Sequence, residues 1–113
     1  MKVYIACPYP LRAYAISTMA SLEARGHVVT SRWLKAPDEL SDQCAREDLA
    51  DVAAADVLLA LNPACWEERG TGGRHVELGY ALALGKRVVL VGKRSNIFHH
   101  HSDVRVIERV EDL

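Results

Sequence analysis

Gly70-Thr71-Gly72-Gly73-Arg74-His75-Val76-Glu77-Leu78-Gly79-Tyr80 is the stretch on which the fold turns. An apolar run, DVLLAL at 56–61, precedes it, and a second, RVVLV at 87–91, follows. Runs this short, bounded by turn residues, read as buried strands. Between them lie a glycine-rich turn and then a helical pattern over 74–84, closed by Gly85. Strand, glycine turn, helix and strand make the unit from which parallel α/β sheets are built. The glycines allow a ligand close to the backbone, and the helix start aims free N–H groups outward. Glu77 sits about one turn into that helix with no lysine within four residues, so it asks for a chemical explanation.

The same alternation extends in both directions. KVYIAC at 2–7 is a first strand, stopped by Pro8 and Pro10. Residues 11–24 are helical, with Leu11, Ala15, Met19 and Leu22 on one stripe and Gly26 just past the end. Residues 27–30 form a second short strand, and 35–38 a loop. Residues 39–55 are a helix on which Leu40, Cys44, Asp48 and Val52 share one line. The loop after the third strand starts at Asn62 and runs to Arg69. In the helix over 74–84, Val76, Tyr80 and Ala83 share one side. A polar loop fills 92–102, and VRVIERV at 104–110 alternates as a fifth, edge strand. The expected fold is a three-layer α/β domain, flavodoxin-like or Rossmann-like, with five parallel strands ordered 2-1-3-4-5. Ligands in such sheets bind at the carboxyl ends of the strands, where the order reverses. Here that point lies between strands one and three, beside the loops 7–11 and 62–74.

Composition narrows the function classes. The 113 residues make one domain spanning 1–113, large enough for a single real core. A net charge of −1 gives no general attraction to nucleic acid or an anionic membrane surface. No apolar run reaches membrane-spanning length, and Met1-Lys2 leads straight into a strand, unlike a signal peptide. The expected location is the cytosol. Cys7, Cys44 and Cys65 show no paired metal spacing and read as small buried hydrophobes. The glycine run lacks the Gly-Lys-Ser/Thr of a phosphate-binding loop and the spacing of a dinucleotide fingerprint.

Three side chains then converge on the switch point. Tyr4 lies near the end of strand one, Asp48 on the helix leading into strand three, and Glu77 on the helix after it. Two carboxylates facing one pocket suit glycosyl chemistry, in which one attacks the anomeric carbon and the other manages the leaving group's proton. The helix start would keep Glu77 ionised. A half-buried Asp48 would hold its proton more tightly and could donate it. The spacing also fits a bland alternative. Acids in a helix's first turns are commonly surface charges, and Asp48 has Arg46, Glu47 and Asp51 around it.

At this point the chain resembles a family. GTGGRHVELGYALALGKRVVLVG, with KVYIAC and REDLADVAAADVLLAL before it, is similar to the nucleoside 2-deoxyribosyltransferase family, which also includes 2'-deoxynucleoside 5'-monophosphate N-glycosidases. The resemblance implies an enzyme that needs no cofactor and no metal. It implies that Glu77 is the nucleophile, that Asp48 protonates the departing base and that Tyr4 orients Glu77. It places Thr71, with Gly72 and Gly73, on the sugar side. There the transferases often carry an aspartate on the 5'-hydroxyl and the monophosphate hydrolases a serine on the phosphate. The loop Cys7-Pro8-Tyr9 stands where family members usually carry a glycine. The implied substrate is a small deoxynucleoside or deoxynucleotide, with no nucleic acid polymer and no membrane as partner. The implied assembly is a homo-oligomer with shared sites, to which Asn96 would contribute. The expected reaction is transfer of the deoxyribosyl group between bases. Hydrolysis of a monophosphate is the alternative, and a nucleotide-binding module without turnover is a further one.

Lesser signals complete the reading. Arg12 and Arg74 flank the pocket and suit a 5'-phosphate, though surface ion pairs suit them equally. Tyr9, Trp33 and Trp66 could stack on a base, with core or subunit packing the expectation for Trp33. His99, His100 and His101 lack metal-ligand spacing and read as a polar interface loop.

Overall fold

The computed structural model describes residues 1–36, 39–63 and 70–113. The first strand, β1, spans Lys2–Ala6, and α1 spans Arg12–Ala24 after a 3-10 turn at Tyr9–Leu11. Strand β2 is only Val28–Val29, followed by a 3-10 turn at Arg32–Leu34. Helix α2 is Asp42–Ala54, β3 is Val57–Asn62, α3 is Gly73–Ala83 and β4 is Arg87–Gly92. After a 3-10 turn at Ile97–His100 come β5, Val104–Ile107, and a last 3-10 turn at Val110–Asp112.

All four strand pairings are parallel, in the order β2-β1-β3-β4-β5 expected from the sequence. The chain steps one way from β1 to β2 and the other way from β2 onward. Right-handed crossovers then put α1 on one face of the sheet and α2 and α3 on the other, where the two pack together. Every residue of β3 is buried, as a central strand covered on both faces requires.

Several boundaries differ from expectation for visible reasons. Strand β2 stops early because side chains take over its hydrogen bonds. Ser31 Oγ accepts from the Ile5 amide at 2.7 Å, and the Trp33 indole donates to the Ile5 carbonyl at 3.2 Å. That satisfies both of the peptide groups a longer β2 would have met. Helix α2 begins at Asp42 rather than 39 because Ser41 caps it, its hydroxyl accepting from the Cys44 amide at 3.2 Å. Leu40 therefore precedes the helix and is fully exposed. Strand β5 ends at Ile107, and Val110 instead buries itself within the final turn. Asn62 is the last residue of β3, paired with Gly92, and not the start of a loop.

Of the side of α3 that groups Val76, Tyr80 and Ala83, only Tyr80 packs against the core. Leu78 and Ala81 are buried, while Val76 and Ala83 are exposed. Arg74 and Glu77 continue the Leu78–Ala81 line at i, i+3, i+4 and i+7. Glu77 is thereby drawn half under the helix instead of out to water.

Candidate active site

The carboxyl ends of β1 and β3 and the start of α3 meet at the switch point. Tyr4 is fully buried in β1, and its phenolic O–H donates to Oε2 of Glu77. A residue of this inner strand reaches a helix residue because α3 packs against β1 as well as against β3 and β4. The bond fixes which carboxylate oxygen is engaged, and it leaves the carboxylate's charge in place.

Cys7 follows β1 and is buried. Its thiol is pushed up to about 12, chiefly by burial and further by the negative charge of Glu77, while the positive charge of Arg74 opposes the rise. The thiol is thus neutral at physiological pH, and it lies within electrostatic reach of both Glu77 and Arg74. Pro8 is buried, and a Cβ built on Gly70 would lie 3.6 Å from it, so the two switch-point loops abut. Gly70 and Gly72 have φ of +95° and +90°, a backbone region that disfavours side chains. Thr71 and Gly73 are exposed beside them at the mouth.

Arg74 donates from Nη1 to Oδ1 of Asn62 at 2.8 Å. Asp48 is half-buried on α2, the helix packed against α3. Tyr9 is exposed, with its ring tilted 32° against Trp33 at 6.1 Å. Trp33 is buried, in keeping with a packing role. Arg12 is a clamp: its Nε and one Nη donate to the carbonyls of Trp33 and Leu34 at 3.1 and 2.8 Å. Those donors hold the 32–34 turn in place. Asn96 is half-buried, and its Oδ1 accepts from the Phe98 amide at 2.9 Å, capping the turn after β4. Trp66 and Cys65 lie outside the described residues, as does most of the loop before α3.

The histidines do not behave as one group. His100 and His101 are exposed, whereas His99 is 2 % exposed and stands 6.3 Å from the ring of His75. Among the described residues no group of three His, Cys, Asp or Glu side chains could hold a metal ion, and no helix is long and apolar enough to cross a membrane.

Two site residues escaped the sequence reading. Asn62 is one, and its signal was available: a polar residue ending an otherwise apolar central strand sits where such sheets keep their chemistry. His99 is the other, and its burial has no local sequence signal.

A family model described as nucleoside 2-deoxyribosyltransferase matches residues 3–107. No curated protein gives a significant match. Among solved structures, a CMP N-glycosidase from Clostridium botulinum, BcmB, is similar at 21 % identity and a TM-score of 0.69, covering 98 % of this chain and 92 % of that one. A 2-deoxyribosyltransferase from Leishmania mexicana is similar at 20 % identity and a TM-score of 0.65, covering 95 % of this chain and 74 % of that one.

Proposed function

The chain belongs to the nucleoside 2-deoxyribosyltransferase family, and on that premise we propose that it moves a deoxyribosyl group between nucleobases through a glycosyl-enzyme on Glu77. The observation that carries the proposal is the Tyr4 hydroxyl on Glu77 at the carboxyl end of the central strands. A buried phenol holding one carboxylate oxygen orients the other for attack, which is what a positioned nucleophile requires.

The steps balance. Glu77 bonds to C1' of the sugar as the C1'–N bond breaks, and the electron pair leaves with the base. Asp48, half-buried on the neighbouring helix, supplies a proton or a hydrogen bond to that base. A second base then attacks C1' and gives up its N–H proton to Asp48, the ester breaks, and Glu77 is regenerated as a carboxylate. The neutral Cys7 thiol borders the carboxylate without competing as a nucleophile.

A second reading ends the same cycle with water and takes a 5'-monophosphate. It is favoured by Arg74 and Thr71, a cation and a hydroxyl at the start of α3, which suit a phosphate. Both readings take the protein as a cytosolic homo-oligomer. Val76, Ile97 and Phe98, exposed on α3 and the loop after β4, are apolar side chains that a second copy would cover.

The experiment is direct. The protein is incubated with deoxyinosine and adenine, and separately with each deoxynucleoside monophosphate. Deoxyadenosine and hypoxanthine without free sugar are the expected products. Deoxyribose 5-phosphate from a monophosphate would transfer the assignment to the second reading. Ligand binding without any product would sink both.

A further inference from the structure

Asn62 ends β3 in the middle of the sheet at 2 % exposure. Its side-chain oxygen accepts from Arg74 at 2.8 Å. Its nitrogen donates to the Lys93 carbonyl at 2.6 Å and to the Ser95 hydroxyl at 3.0 Å. One buried amide therefore joins the first turn of α3 to the loop that follows β4. The backbones also come unusually close here. A Cβ on Gly92 would lie 2.1 Å from the Asn62 carbonyl oxygen, so only glycine permits the approach.

The loop has a second anchor. His99 Nδ1 accepts from the Ser95 amide at 2.9 Å, and the His99 carbonyl accepts from Arg94 Nε at 3.0 Å. A ring that accepts at Nδ1 carries no proton there. Asn62, Arg74, His75 and His99 also line one small cavity of about 10 Å³, room for roughly one water.

We propose that Asn62 and His99 are positioning residues for Arg74: Asn62 ties the guanidinium to the loop after β4, and the neutral His99 ring holds that loop closed. The proposal rests on the reading in which Arg74 faces the substrate. The groups facing His99 are His75 and Arg74 from α3, and Arg94 and His100 from its own loop. Burial first, and these neighbouring histidines and arginines after it, hold the ring's pKa below the ordinary histidine value. Forcing a proton onto Nδ1 removes the acceptor for the Ser95 amide. The Ser95 hydroxyl then shifts on Asn62, which keeps only the Lys93 carbonyl as its anchor in the loop, and the amide that meets Arg74 is held less firmly.

The test needs no substrate. Nitrogen-15-labelled protein is titrated by NMR from about pH 8 to about pH 5, following the Ser95 amide and the Arg74 Nε–H. Both should move together, with a midpoint below 6.5. In His99→Asn the new side-chain oxygen can take the place of Nδ1 without titrating, so the Ser95 amide should no longer follow that midpoint and the Arg74 shift should shrink to what its neighbour His75 causes. In Asn62→Ala the Ser95 amide should still titrate while the Arg74 shift shrinks in the same way. An Arg74 signal that stays still in the wild type, or that titrates unchanged in either variant, overturns the proposal. In turnover, Asn62→Ala should raise KM about tenfold and change kcat less, the size of one lost charge-assisted hydrogen bond. Coupled resonances without turnover would uphold the tie and sink the function reading. Turnover without coupling would sink the tie alone.

Discussion

Asp51 and Glu77 are both acids drawn toward the interior on helices of the same face, and each is held from a different strand region. Asp51 is 6 % exposed, and its carboxylate accepts from the Arg32 amide at 3.0 Å and from Arg32 Nε at 2.9 and 3.1 Å. Its carbonyl also accepts from the Thr30 hydroxyl at 2.8 Å. These bonds fasten α2 to the segment after β2, and a cation neutralises the acid. Glu77 receives a phenol hydroxyl from β1, which holds one of its carboxylate oxygens. Burial alone does not separate a structural acid from a reactive one. Position differs as well: Asp51 serves the edge of the sheet and Glu77 the central strands.

That contrast can be broken by substitution, and the largest effect belongs to Glu77. Glu77→Gln keeps shape and hydrogen bonding but removes the proposed nucleophile. It should lower kcat by at least about 10³-fold with Tm unchanged. Activity near wild type would place Glu77 beside Asp51 among the structural acids. Asp48→Asn should cost about 10²-fold, the scale of general acid catalysis, and more for bases that leave poorly. An equal loss across leaving groups would reduce Asp48 to a positioning role.

Asp51→Ala should do the reverse. Urea unfolding should show a loss of about 2 kcal/mol, while the rate per folded molecule changes only a few-fold. The figure stays modest because the Arg32 side chain is 57 % exposed and can turn to water once released. The smallest effect is on pH. His27, His75 and His99 are all held below the ordinary histidine value of 6.5, each chiefly by burial. The unfolded chain therefore binds protons more readily than the folded one in the window just below 6.5. Their neutral forms contribute fully above 6.5, and stability falls as pH drops through that window. The urea midpoint should be lower near pH 5.5 than near pH 7.5, and His99→Asn should flatten the slope. A midpoint independent of pH would contradict the neutral, buried assignment.

Much of the fold was legible because its signals are local. DVLLAL and RVVLV are apolar throughout, and only strands covered on both faces tolerate that. The glycine turn at 70–73 announced the strand-to-helix switch and so located Glu77. What stayed hidden depends on contacts between distant residues. Arg12 lies next to the switch point in sequence, yet its donors go to Trp33 and Leu34, partners fixed only once the 32–34 turn has folded. In α3, Val76, Tyr80 and Ala83 form as regular a line as the buried stripe, yet of the three only Tyr80 packs against the core. Nothing in three adjacent histidines says that the first turns inward while the next two remain in water.

The account stands or falls on covalent attachment at Glu77. The protein is mixed with deoxyinosine, quenched in acid within one turnover, digested and mapped by mass spectrometry. A deoxyribosyl mass on the peptide carrying Glu77, gone when excess adenine is added before the quench, is the predicted result. Turnover with that peptide unmodified, or with the sugar on another residue, would contradict it.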